Sequence, residues 1–276
     1  MSLSSRFLRV AWFTACAGCL LLAGTACGDD EENGGVVGPA GSADLPTHAE
    51  LLAALETAVG NPPSGNGGFN LEMWATVVDR SGIVRAIVFS GPGRGDQWLG
   101  SRVISAQKAN TANDFSLPLL ALSTANLFTA VQPGGSLFGL QESNPVNIDA
   151  AYGGDADDYG TENDFMLGKR IGGVNVFGGG LALYNSSGEI IGAVGVSGDT
   201  SCADHNIAWK VRDALVLDYV PGGVADGGND DNIIYDVTLT PEGHSVSASG
   251  FGHPECGIPL ATTVGTNLPT SHPISP

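Results

Sequence analysis

The sequence predicts an α+β fold, one antiparallel sheet with helices packed on it. Strand-like segments come in adjacent pairs, in the order helix, hairpin, two helices, hairpin, helix, and not in the strand–helix alternation of a parallel sheet. Glycine supplies 41 of the 276 residues, a density that weakens helix interiors and speaks against a bundle or coiled coil. An apolar share of 42% excludes a disordered chain. No repeat at a solenoid period is present, although the two hairpins look like analogous halves.

The first helix opens at Pro46-Thr47-His48-Ala49-Glu50. Thr47 and Glu50 have capping-box spacing, Leu51, Leu52, Leu55 and Val59 form an apolar face, and Pro62 and Pro63 end the helix. Strands are expected at 73–79 and 83–89, turning at Arg80-Ser81-Gly82. A loop at 91–95 precedes a helix over 101–114, and Ser123 caps a shorter helix through Val131, stopped by Pro133-Gly134-Gly135. Residues 141–172 form a polar insertion rich in Asp and Glu. The second hairpin spans 179–184 and 189–197 around Asn185-Ser186-Ser187-Gly188. Thr200 or Ser201 caps a helix to about Leu217 with Ala203, Ile207, Val211, Ala214 and Leu215 on one face. A Gly/Asp loop follows Pro221, then a short strand over 233–237. The tail from Thr262, with three prolines and no charge, reads as loose.

Residues 1–26 read as an export signal. Arg6 and Arg9 precede an apolar stretch from Val10 to Ala26, shorter than the ~20 residues of a spanning helix. Leu22-Ala23-Gly24-Thr25-Ala26-Cys27 resembles a bacterial lipoprotein signal that makes Cys27 the lipid-bearing first residue; the alternative is an ordinary secretory signal cleaved nearby. Gly24 stands where that pattern prefers a larger aliphatic residue. Residues 27–44 are an acidic, Gly-rich tether, 45–240 the main domain and 241–276 a C-terminal extension. The whole chain carries a net charge of −18, and without residues 1–26 it has 9 basic and 29 acidic residues, a net of −20. That charge excludes nonspecific nucleic-acid binding and a polybasic membrane footprint, so membrane contact is expected only through the lipid.

Four blocks, Ala75-Thr76-Val77-Val78-Asp79-Arg80-Ser81-Gly82, Lys108-Ala109-Asn110-Thr111-Ala112, Gly179-Gly180-Leu181-Ala182-Leu183 and Gly192-Ala193-Val194-Gly195-Val196-Ser197-Gly198, with Asp204 opening a helix, resemble the GlcG-like haem-binding (haem-degrading) family in order and spacing. The resemblance covers about residues 45–217. It implies a profilin-like antiparallel sheet, assembly into homo-oligomers, and haem or a cobalamin-related tetrapyrrole as ligand, while many members have no established activity. The chain departs from short members in its acidic insertion, its length beyond Pro221 and Cys202 near Asp204.

Once Cys16 and Cys19 leave with the signal and Cys27 takes lipid, Cys202 and Cys256 remain. In an exported protein they suggest one disulfide, the alternative being two separate thiols. A bridge would bring His205 and His253 into one neighbourhood, as axial haem ligands or a metal pair; the alternatives are a Cys2His2 zinc site or a plain staple with solvent-facing histidines. Amides at the Thr200–Ser201 helix start, with Arg102 and Lys108, are candidates for an anion such as a haem propionate. Lys108 also has Asp79 as a possible carboxylate partner, or is a plain surface charge. Gly178, Gly179 and Gly180 admit either a flat ligand or a turn entering the strand. Asp155-Ala156-Asp157-Asp158-Tyr159-Gly160 lacks two ligands of a calcium loop and reads as a solvated acidic loop. Asp199 replaces the second Gly of a nucleophile elbow, which argues against a hydrolase. The expected role is haem sensing, scavenging or sequestration in the cell envelope; haem-degrading or redox enzymology in the same pocket and a ligand-free structural oligomer are the alternatives.

Overall fold

The computed structural model describes residues 44–276, so the signal, Cys27 and the tether up to residue 43 lie outside it. Its elements are α1 His48–Val59, β1 Trp74–Asp79, β2 Val84–Phe89, α2 Ser101–Phe115, α3 Leu140–Ser143, α4 Ile148–Tyr152, β3 Gly180–Tyr184, β4 Ile190–Ser197, α5 Ser201–Ala214, β5 Val237–Leu239, β6 Ser245–Ser247 and α6 Pro259–Ser271. No described helix is long and apolar enough to cross a membrane.

The main sheet runs β2-β1-β4-β3, antiparallel throughout. Each hairpin supplies one central and one edge strand, and β1 joins β4 at the centre. The α+β expectation is therefore met, with helices on both faces. Alternation along β1 sorts the layers. Ala75 and Val77 face a core with Leu51 and Leu55 of α1, Ile207 and Val211 of α5, and Leu268 of α6. Trp74 and Val78 face the other core, with Val103, Ala106 and Ala109 of α2. Each fully buried leucine or valine here contributes ~1.5–3 kcal/mol.

Helix α2 lies hard against β4. A Cβ on Gly195 would sit 2.0 Å from the Ser105 carbonyl oxygen and 2.5 Å from the Ala109 nitrogen. The small residues of α2 and the strand glycine permit one close approach, which accounts for a glycine inside a buried strand.

Helix α1 has its capping box, the Thr47 side chain accepting from the Glu50 amide and the Glu50 carboxylate from the Thr47 amide. Other expectations change. The helix from Ser123 to Val131 is two 3-10 turns, Thr124–Leu127 and Thr129–Val131. Residues 233–236 are irregular and the strand begins at Val237, pairing with β6. The loose tail is mostly α6, whose Ala261, Gly265 and Leu268 are buried. The insertion 141–172 is not uniformly solvated: Met166 and Ile171 enter the α2 core, and the Asp164 side chain is wholly buried.

Candidate functional site

The residues singled out in the sequence converge where α5 begins. Thr200 is the N-cap, its side chain accepting from the Ala203 amide. Cys202 and Cys256 are disulfide-bonded, with Cα atoms 6.0 Å apart. Ser201 Oγ accepts from the Gly178 amide (2.7 Å) and lies 2.7 Å from His253 Nε2. His253 Nδ1 lies 2.7 Å from the Pro254 carbonyl oxygen. Because a carbonyl only accepts, Nδ1 carries the proton, and the Ser201 hydroxyl donates to Nε2.

His205 is fully buried, one layer further in. The Asn232 amide group donates to the Gly265 carbonyl, so its oxygen faces His205 Nε2 at 3.1 Å and receives that N–H; the Ile233 amide, 3.1 Å from the same ring nitrogen, then donates to the Asn232 oxygen at 2.8 Å. Nδ1 is buried without a partner among the described residues. Desolvation pushes His205 down to about 4 and His253 to about 4, the latter partly offset by its bond to Pro254. Both rings are neutral near pH 7. The solvent-facing histidines of the staple alternative are thus absent, and a Cys2His2 site is not assembled. Among the described residues only Cys202, His253 and Cys256 bring three metal-ligating atoms within 4.8 Å, and His205 is not one of them.

The anion candidates are spent internally. Lys108 Nζ donates to Asp204 Oδ2 (2.7 Å) and the Val196 carbonyl (3.1 Å), buried and not paired with Asp79. Asp79 instead caps its own turn, accepting from the Ser81 and Ile83 amides, and binds Arg85. Desolvation raises Asp204 to about 6 against the pull of Lys108, and lowers Lys108. Arg102 is clamped by Asp164 and the Ala151 carbonyl. Nor is there room at Gly178–Gly180 for a flat ligand: added Cβ atoms would meet Ser201 O at 2.5 Å, Val196 O at 2.4 Å and Thr124 Cγ2 at 2.4 Å. The α5 centre as built does not fit haem.

Open space lies elsewhere. A groove of about 470 Å³ runs beside α1, lined by His48, Leu52, Phe89, Gly160 and Glu162 among others. A second, of about 410 Å³, is lined by Phe89, Arg94, Leu99, Asp157 and Tyr159. Both are also lined by Thr161, so they flank Phe89. His48 Nε2 donates to the Gly160 carbonyl (3.0 Å), which leaves Nδ1 basic. Among the described residues the Arg94 guanidinium pairs with the exposed Asp157 alone, at 3.8 Å. A half-buried imidazole, aromatic walls and a loosely paired guanidinium suit a flat apolar ligand bearing carboxylates. A third groove of about 460 Å³, between α1 and the end of α5, offers Asp44 and Glu50 and no imidazole or cation among the described residues. Sequence reasoning passed over His48, Phe89 and Arg94, because only the fold carries Gly160 to His48, 112 residues away.

A family model described as haem degrading protein, HbpS-like, matches residues 67–212. The chain belongs to the HbpS-like family. The span includes the whole main sheet, α2 and most of α5, with Phe89 and Arg94; His48, His253 and Cys256 fall outside it. An uncharacterized 15.0 kDa protein from the dhaT-dhaS intergenic region of Citrobacter freundii is 34% identical over 120 residues, which are 44% of this chain and 62% of that relative. Among solved structures, Klebsiella pneumoniae protein ORFY, of family-model DUF336, is 27% identical over 60% of this chain and 86% of its own, with a TM-score of 0.41. A PduOC:haem complex is 24% identical over 62% and 94%, with a TM-score of 0.42.

Proposed function

We propose that this HbpS-like protein binds haem in the groove around Phe89, held at the cell envelope by lipid on Cys27. The observation that carries the ligand is the family match over residues 67–212; the groove is where the described residues have space and suitable donors. His48 would present the iron ligand, Leu52, Phe89, Leu99 and Tyr159 the apolar walls, and Arg94 a counter-ion for a propionate. Ligation through Nε2 requires the bond to Gly160 to open. Bound haem supplies a redox-active iron. The protein's part is to exclude water from one face of it and to keep Arg94 available beside Asp157.

Haem titration of the purified protein tests this. A Soret band should form with saturable stoichiometry, shift in His48→Ala, and keep its position in His205→Ala, with circular dichroism verifying each fold. An unchanged spectrum in His48→Ala removes the groove assignment, and no saturable band removes the ligand. The family's haem-degrading description favours one further reading, turnover. Loss of the Soret band with a reductant, together with iron release, separates degradation from storage or sensing. Export and anchoring rest on the basic, apolar and small-residue series ending at Cys27. Cys27→Ala should release the protein from membranes, and an unprocessed, membrane-bound variant contradicts the anchor. A homo-oligomer belongs to the same proposal, and light scattering reads its mass.

A further inference from the structure

We propose that Cys202, Cys256 and His253 form a zinc site when the disulfide is reduced, so that this corner of the fold exchanges a covalent bridge for a metal. Four features converge. The two sulfurs and a ring nitrogen of His253 already lie within 4.8 Å of one another. The His253 tautomer is set by the Pro254 carbonyl at Nδ1, the arrangement in which a metal-binding histidine donates its other ring N–H to a carbonyl. We take Nε2 as the ligating atom; among the described residues it is held by the Ser201 hydroxyl, which a cation can displace. Finally, the Cys202 amide in the first turn of α5 lies 3.1 Å from Cys256 Sγ. An N–H and a helix start both stabilise thiolate over thiol.

The balance is simple. An external dithiol donates two electrons and two protons, becomes a disulfide, and leaves Cys202 and Cys256 as two thiols. A zinc ion then displaces both protons, giving two thiolates and one neutral imidazole on a dication, with no net charge at the centre. Two thiolates on one zinc at ~2.3 Å lie about 3.8 Å apart in a tetrahedral site. Cys256, which is partly exposed, provides the needed movement. Three protein ligands leave a fourth position for water. His205 takes no part, since it does not belong to the group whose ligating atoms lie within 4.8 Å of one another.

The test uses the purified protein, reduced with a phosphine and freed of it under argon, with Co²⁺ as the spectroscopic stand-in. The reduced protein should develop thiolate-to-cobalt charge-transfer absorption at one metal per chain, bleached by one equivalent of Zn²⁺. The oxidised protein should show none. A Cys202→Ser/Cys256→Ser variant, keeping every other cysteine, is the blank. His253→Gln should weaken the metal by at least about tenfold. The proposal fails if reduced protein shows no more absorption than the blank, if oxidised protein binds equally, or if His253→Gln binds as tightly. Circular dichroism of the reduced protein is recorded alongside, and loss of the fold on reduction also overturns it.

Discussion

Replacing Lys108 by Met removes the cation from a buried pair whose side chains are 1% and 4% exposed. Asp204 loses its 2.7 Å partner and, among the described residues, keeps the Asp199 amide alone, at 2.8 Å on its other oxygen. Stranding one member of a buried pair costs roughly 3–5 kcal/mol. Protonation is the only relief, and burial already holds Asp204 near 6 with Lys108 present; without it the carboxyl rises further. The folded state then holds a proton that the unfolded state releases near its ordinary 3.8. Its stabilising effect is full below that value and is lost as pH rises through the raised folded value, at about 1.4 kcal/mol per pH unit. Urea unfolding followed by tryptophan fluorescence should therefore show a deficit of roughly 3–5 kcal/mol at pH 8 that shrinks by more than about 1 kcal/mol at pH 5. Lys108→Met with Asp204→Leu should recover most of the loss. An equal deficit at both pH values, or a double variant no better than the single, refutes the reasoning.

Other outcomes follow from the same structure. Cys202→Ser/Cys256→Ser frees a bridge across 54 residues; a lower urea midpoint corresponding to about 4 kcal/mol is expected from chain entropy, and an unchanged midpoint contradicts it. Buried neutral His205, facing Asp231, Arg212, His253 and Asn232, titrates near 4. Its contribution is present above its ordinary 6.5 and lost as pH falls toward 4, on the order of 3 kcal/mol. His205→Gln should flatten that part of the pH–stability curve, and parallel curves reject the assignment. Gly195→Ala drives a methyl into the backbone of α2; a loss of roughly 1–3 kcal/mol or more is expected, and a neutral outcome in thermal melts means that α2 can retreat from β4.

What could be read in the sequence was local. The α1 capping box, both hairpins and the start of α5 rest on residues a few positions apart, and they stand where periodicity and turn chemistry put them. Pairings across the chain were not readable. Nothing in an acid-rich segment distinguishes Asp164, which enters the core beside Arg102, from exposed Asp157. Asp204 over Asp79 as the partner of Lys108 is decided by sheet register, which gives Asp79 to its own turn. Helix α6 carries little apolar stripe and has Pro269 in its last turn, so local propensity argues against it. Packing on α5 makes it helical. His48 looked like an ordinary helix-start residue because the Gly160 strap that makes half of its groove arrives from the insertion.

The span matched by the family model and the span over which buried groups find their partners differ in length here. The family span stops at Arg212, yet that guanidinium is completely buried against Asp231, which lies beyond the span. Asn206 donates to the Ala261 carbonyl, and the Trp209 indole to that of His272. Trimming the gene at the homology boundary would leave Arg212 as an interior cation without its counter-ion and strip the cover from Ile207. Residues 213–276 thus supply partners to buried groups of the matched span, and anyone transplanting the module must carry them along.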